Sequence, residues 1–277
     1  MEIPFSKMQG AGNDFIVVDN IGLGFSSKQL SRLAAQTCTR RVSVGADTLI
    51  AIEAAKQNGD FYARYYNSDG SEAEMCGNGA RCVARFAYET GLAKETMVIE
   101  SMAGDVPAKR LGKRLYQVQL NSPTVYTESL VLKISGRDLM VDYVELGDPG
   151  IPHLVVHYPD LAMTELETIQ TMARELRHHP TFKKGANVNF YDLLRDGTVV
   201  ERTYERGVED FTLACGTGTG STAYVLNKKG LTPTNPVMVE VLGGTLQVNV
   251  EGEDLFLIGD TNQVIQGLIL DENLEFV

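Results

Sequence analysis

The chain has 277 residues, 43% of them hydrophobic, enough for a buried core in one large domain or two moderate ones. Its 36 acidic residues outnumber 25 basic ones, and a formal charge of −11 repels phosphate backbones and anionic membrane surfaces, which argues against nucleic-acid and membrane partners. The longest apolar runs, such as Phe15 to Val18, fall far short of the roughly 20 residues that cross a bilayer. The opening MEIPFSKMQG lacks the basic and apolar regions of a signal peptide, so a cytoplasmic location is expected.

In chain order, β-branched and aromatic residues predict strands at Phe15–Asn20 and Thr48–Ala54, flanking a helix Ser27–Arg40 with Leu30, Leu33, Ala34 and Thr37 at helical spacing. A strand Phe61–Tyr66 then runs into the turn Asn67-Ser68-Asp69-Gly70. The helix Ala80–Thr90 places Ala80, Val83, Ala84 and Ala87 on one face, with Gly91 as its stop. Strands follow at Met97–Ser101, Leu115–Asn121, Leu130–Ile134, Leu139–Glu145 and His153–His157, then an amphipathic helix Leu161–Arg177. Strands Asn187–Tyr191 and Thr198–Tyr204 precede a fourth helix near Gly218–Lys228, and Pro236–Val241 and Leu255–Ile258 close the series. The fourth helix is made of Gly, Thr, Ser and Ala, poor formers of an exposed helix. Small residues of that kind suit a helix pressed closely against a sheet.

An internal echo organises the chain. Met75-Cys76-Gly77-Asn78-Gly79-Ala80 and Ala214-Cys215-Gly216-Thr217-Gly218-Thr219 both read Cys-Gly-polar-Gly, each after a strand and at the opening of a helix, half the chain apart. Two similar halves, crossing over near Asn121-Ser122-Pro123, would each present one cysteine at a helix start. A helix N-terminus carries unpaired N–H groups and partial positive charge, which lowers a thiol pKa and forms a carboxylate site. Two such turns on one substrate carboxylate would put a sulfur on each face of the adjacent carbon. One, as thiolate, would remove the α-proton; the other, as thiol, would return a proton to the opposite face; and the N–H groups would hold the enediolate charge. Two neighbouring thiolates repel, so the pair is expected to share one proton at rest.

Cys38 falls on an apolar helix face with Ala34, Cys82 sits inside the helix Ala80–Thr90, and both read as buried, inert side chains. There is no CxxC pair, no HExxH and no Cys/His cluster at zinc spacing, so neither a disulfide framework nor a metal is expected. Gly10-Ala11-Gly12 begins a GxGxxG whose last position is Phe15, and no phosphate-binding GxxxxGK[ST] is present. Nothing around Lys183 marks a pyridoxal phosphate site. By themselves, His153 reads as a strand-end histidine, His178 and His179 as solvated helix-end residues, and Glu205-Arg206 as a surface ion pair.

Gly10-Ala11-Gly12-Asn13-Asp14-Phe15, the stretch Asn67 to Gly79, Arg202-Thr203-Tyr204-Glu205-Arg206-Gly207 and Ala214 to Gly218 together resemble the diaminopimelate epimerase family, in the family's order across nearly the whole chain. The resemblance implies an α+β fold of two similar domains, each a mixed sheet curled around a central helix, with the active site in the interdomain cleft. The division expected is residues 1–122 with the C-terminal segment 264–277, carrying Cys76, and residues 123–263, carrying Cys215. It implies epimerisation of LL- to meso-diaminopimelate in lysine and peptidoglycan precursor biosynthesis, with no cofactor. Carried over by position, Cys76 and Cys215 resemble the base and acid. Asn13, Gly77, Asn78, Gly216 and Thr217 resemble the cradle of the reacting end. Asn67, Asn187, Glu205 and Arg206 resemble the clamp on the distal end, and His153 and Glu205 resemble residues that tune the thiols. Thr48 stands where many members carry Gln, and Ile151 where many carry Asn, which leaves open a two-cysteine racemase of another amino acid. A redox-sensing thiol protein, needing neither clamp nor cradle, is a third class. Ile265 lies near the place where some members carry a Tyr implicated in dimer contacts, so the homodimer is left open too.

Overall fold

The computed structural model describes residues 2–232 and 234–270, and the end of the segment 264–277, from 271 onward, lies outside the described residues. The chain divides into two compact units, residues 2–118 with 259–270, and residues 119–232 with 234–258.

In the first unit, Asn262–Leu270 runs antiparallel to Glu2–Gly10, which pairs antiparallel with Asn13–Asp19. Asn13–Asp19 is parallel to Thr48–Glu53, which lies antiparallel to Phe61–Asn67. That strand is parallel to Thr96–Ser101, and Gly104–Arg110 returns antiparallel beside it. Phe15 to Val18 and Leu49 to Ile52 are buried at every position, as strands covered on both faces must be. Ile16, Val18, Leu49 and Ala51 share a core with Leu30, Leu33 and Ala34 of the helix Ser27–Thr37. Ser26 starts that helix, its hydroxyl accepting the Gln29 N–H while the Gln29 side chain accepts the Ser26 N–H.

On the opposite face lies the helix Gly77–Glu89, packed against both Glu2–Gly10 and Asn13–Asp19 and, further round, Thr96–Ser101 and Gly104–Arg110. The sheet therefore curls around it. A Cβ on Gly79 would stand 2.9 Å from Ile50 Cδ1, 3.1 Å from Tyr65 Cε1 and 3.2 Å from Phe15 Cε1. Only glycine lets the helix start that close to the sheet.

The second unit repeats the plan strand for strand. Pro123–Ile134, Arg137–Leu146 and Ile151–His157 are antiparallel neighbours; Ile151–His157 is parallel to Asn187–Leu193, which is antiparallel to Val199–Glu205. Val199–Glu205 is parallel to Val237–Val241, and Gly244–Glu251 returns beside it. The helix Leu166–Arg177 covers one face through Ile169, Ala173 and Leu176, against Leu154, Val156, Val188 and Phe190. On the other face Gly216–Lys228 lies against strands from both sides of the sheet, 137–146 and 244–251 among them. Its small residues have the predicted cause: a Cβ on Gly220 would sit 2.6 Å from Leu120 Cδ1.

The predicted helix Leu161–Arg177 is interrupted. Leu161–Met163 forms a single 3₁₀ turn, Thr164 is extended with its hydroxyl bonded to the Asp160 carbonyl, and the α-helix starts at Leu166. Strands Glu2–Gly10, Gly104–Arg110, Gly244–Glu251 and Asn262–Leu270 escape the sequence pattern because polar or glycine residues break their apolar alternation.

Candidate active site

In each unit the enclosed helix begins on a cysteine. Cys76 stands just before Gly77–Glu89 with extended backbone angles (φ −130°, ψ 122°) and no capping bond from its side chain. The first intrahelical bond runs from the Ala80 N–H to the Cys76 carbonyl at 2.7 Å, so the Gly77, Asn78 and Gly79 amides have no intrahelical acceptor. Strand register brings other predicted residues to the same sheet end: Asn13 opens its strand, Thr48 is opposite Phe15, and Asn67 is opposite Thr48. The Cys76 thiol donates to Asn13 Oδ1 at 3.3 Å. Asn13 is turned that way because its Nδ2 donates to Asp47 Oδ2 at 2.6 Å. Arg40 in turn bridges Asp47 and Asp14, and Lys7 reaches Asp14 at 2.7 Å. Burial raises the Asp14 pKa, but the Arg40 and Lys7 bonds outweigh it and hold the carboxyl below its usual range. Asn78 is buried with its Oδ1 accepting from Arg81 Nη2 at 2.9 Å, and the exposed Asn67 donates to Ser71 Oγ at 3.0 Å.

Cys215 holds the matching place before Gly216–Lys228 (φ −118°, ψ 108°) and is buried. Helix position alone predicts a lowered thiol pKa. The structure reverses this: burial pushes the Cys215 thiol well up and the Glu205 charge adds to the rise, while Thr217 and the Gly218 N–H oppose it. Thr217 Oγ1 lies 3.5 Å from the sulfur. Asn187 and His153 are cross-strand neighbours, and Glu205 ends the next strand on the same side, with Arg206 directly after it. Asn187 Oδ1 accepts the Arg206 N–H at 2.8 Å, and the Arg206 guanidinium reaches the Lys184 carbonyl at 3.4 Å.

His153 is fully buried and its tautomer follows from its neighbours. Thr203 donates to Asn189 Oδ1 at 2.9 Å, which leaves Asn189 Nδ2 to donate to the Leu154 carbonyl and to His153 Nδ1. The ring hydrogen is therefore on Nε2, which has no partner among the described residues. Burial, with help from the Arg206 charge, lowers the His153 pKa to about 3, so the ring is neutral. Beneath the Cys215 helix, Glu201 is buried with Thr219 Oγ1 and Thr222 Oγ1 each 2.6 Å from its carboxyl oxygens. Burial pushes its pKa up to about 7.

The other two cysteines are buried in the helical packing, and burial raises both Cys38 and Cys82 to about 12. His178 is not merely solvated, since its Nε2 lies 3.2 Å from Glu209. No group of three or more metal-ligating side chains occurs among the described residues, and no helix there is long and apolar enough to cross a membrane. Asp14, Asp47, Arg81, Asn189, Glu201 and Thr203 had no expected role, although Asp14 and Thr203 lie in the stretches that carry the resemblance. Period-two spacing carried a signal for several of them: Asn189 shares a strand face with Asn187, and Glu201 and Thr203 share one with Glu205.

The geometry offers, in each unit, a sulfur at a helix start, with the Asn13 amide beside Cys76 and the Thr217 hydroxyl and Gly218 N–H beside Cys215. The family model described as Diaminopimelate epimerase matches residues 5–124 and 147–264. A diaminopimelate epimerase of Aquifex aeolicus is 37% identical, covering 98% of this chain and 99% of its own. One from Hydrogenobaculum sp. is 36% identical, covering 95% of this chain and 97% of its own. Among solved structures, a hydroxyproline epimerase from Agrobacterium vitis superposes with a TM-score of 0.71 at 16% identity, covering 99% of this chain and 94% of that one. At that identity the likeness speaks for the fold.

Proposed function

The chain belongs to the diaminopimelate epimerase family, and on that premise we propose that it interconverts LL- and meso-diaminopimelate by a two-thiol mechanism, in lysine and peptidoglycan precursor biosynthesis. The observation that carries the mechanism is the repeated placement of Cys76 and Cys215, each at the start of the helix its sheet encloses. One sulfur takes the α-proton from one face and the other delivers a proton to the opposite face, so base and acid both come from the chain itself. The raised pKa of Cys215 suits the acid. Charge developing on the α-carboxylate meets the N–H groups after Cys76 and Cys215, with Asn13, Asn78 and Thr217 beside them; each such donor contributes roughly 3 kcal/mol in the transition state. Asn67, Asn187, Glu205 and Arg206 clamp the non-reacting zwitterion, the guanidinium matching its carboxylate and Glu205 its ammonium. Glu205 and neutral His153 set the protonation of the nearby thiol.

We also propose two epimerase domains, residues 1–122 with 264–277 and residues 123–263. The enzyme works in the cytoplasm. As a homodimer it would use Val264, Ile265 and Leu268, which are exposed on the strand Asn262–Leu270.

Incubating the protein in deuterated water with LL-diaminopimelate and a panel of monocarboxylic amino acids, read by chiral separation and mass spectrometry, tests this function. Inversion and labelling of diaminopimelate are expected. Faster turnover of a monocarboxylic amino acid would replace the reading with the racemase.

A further inference from the structure

Arg81 is a fully buried arginine in the first turns of the helix behind Cys76, with Ala80 and Cys82 on either side. A guanidinium taken wholly out of water normally pairs with an acid, since an isolated buried charge loses its hydration without compensation. Here, among the described residues, no carboxylate lies within ion-pair distance of it. Asp260 is the carboxylate whose charge it feels, but Asp260 is mostly exposed and pairs with Arg114 at 3.3 Å. The Arg81 bonds go instead to the cysteine turn: Nη2 to Asn78 Oδ1 at 2.9 Å and Nη1 to the Gly77 carbonyl at 3.4 Å, while Nε has no partner among the described residues.

Two other groups within its electrostatic reach can become anions, Cys82 and Cys76. Burial keeps Cys82 a thiol, its pKa raised to about 12. Cys76 is half-exposed and sits at the helix start. We propose that Arg81 is a positioning residue that supplies the counter-charge for the Cys76 thiolate and orients the Gly77-Asn78 turn around it. This rests on the two-thiol reading above.

The repeat sharpens the case. Five residues beyond Cys215, the position of Arg81 is taken by Gly220, and the charges that act on Cys215 are those of acids, Glu205 first and Glu201 after it. One thiol therefore has a buried cation behind it and the other an acid beside it. The proton shared by the pair rests on Cys215, and Cys76 is the base of the resting enzyme. Asn13 Oδ1 works the other way, since it accepts the Cys76 S–H. The two influences leave Cys76 able to give the proton back in the reverse reaction. Around Arg81 and Cys76 stand Cys82 and Arg85 on the same helix, Asp260 beyond, and Tyr65 on the facing strand; burial raises the Tyr65 pKa, so it stays neutral.

The test reads Cys76 directly. The rate of iodoacetamide alkylation is measured against pH, peptide by peptide, in wild type, Arg81→Gln and Arg81→Lys. Wild-type Cys76 is expected to titrate below the usual thiol value of about 8.5. Arg81→Gln keeps a donor for Asn78 but loses the charge, so the midpoint rises by about one unit or more and alkylation at neutral pH slows about tenfold. Arg81→Lys keeps the charge and stays within about half a unit of wild type, which separates charge from packing. A wild-type midpoint at or above the usual value overturns the proposal with no variant needed. So does a folded Arg81→Gln with the wild-type midpoint, or a Lys variant shifted as far as the Gln variant. The two readings fail separately. A low Cys76 midpoint in a protein that exchanges no α-hydrogen of diaminopimelate sinks the epimerase function and leaves Arg81 in its role, whereas epimerisation with an ordinary Cys76 midpoint does the reverse.

Discussion

Glu201→Gln should make the protein more stable relative to wild type as pH rises from about 4.5 to about 7, with the difference level above that. The Thr219 hydroxyl has one hydrogen but lies 2.6 Å from Glu201 Oε2 and 3.0 Å from the Cys215 carbonyl. Both contacts are hydrogen bonds only if Glu201 is protonated and donates to Thr219, which then donates to the carbonyl. Burial raises the Glu201 pKa from 4.5 to about 7, in agreement with that count. The sign follows from linkage. Between these values the folded chain holds a proton that the unfolded chain releases, so wild-type stability falls as pH rises through the window. A shift of roughly 2.5 units, at 1.36 kcal/mol each, is about 3 kcal/mol on a fully buried group. Glutamine has no such proton to lose and keeps one donor for Thr219 or Thr222. Urea unfolding of both proteins across pH 4 to 8 measures the difference. A difference that is flat with pH, or that shrinks as pH rises, refutes the neutral, buried acid.

Arg206→Lys keeps the charge but loses the planar fork, so kcat/KM for diaminopimelate should fall at least about tenfold, with turnover reduced along with affinity because distal binding orients the reacting carbon. Steady-state kinetics check it. Cys215→Ala should still exchange the α-hydrogen of one isomer with solvent while net inversion falls by a hundredfold or more, seen by comparing deuterium uptake with change in chirality. Gly79→Ala forces a methyl to within 2.9 Å of Ile50 and 3.1 Å of Tyr65. The overpacking should cost about 1–3 kcal/mol in urea unfolding, against a helix-propensity gain of about 1 kcal/mol.

The pattern of Phe15 to Val18, Leu49 to Ile52 and their counterparts made the central strands legible, because a doubly covered strand is apolar at every position. The two Cys-Gly-polar-Gly turns were legible for a different reason: the glycines answer a close approach of helix to sheet, and the same need recurs in both halves. The outer strands were not. Asn262–Leu270 exposes Val264, Ile265 and Leu268 while carrying Asn262, Gln263 and Gln266, so its alternation is blurred. The supports of the site were hidden because their role depends on distant partners. Arg81 looks like one polar residue in an alanine-rich helix until its burial is known. Asp47 looks like a loop acid until it is found holding Asn13 against Cys76. The direction of the Cys215 pKa was missed for a related reason, since burial and Glu205 act through tertiary structure that helix position does not reveal.

The central claim is that two different sulfurs act on opposite faces of one carbon. Its most direct measurement is isotope placement at early times, with LL-diaminopimelate converted in deuterated water and residual substrate and meso product analysed separately. With Cys76 and Cys215 as separate base and acid, the meso product should carry one solvent deuterium at the inverted carbon while the remaining LL substrate stays unlabelled. Equal early labelling of substrate and product would mean that a single base serves both faces, and would contradict the account.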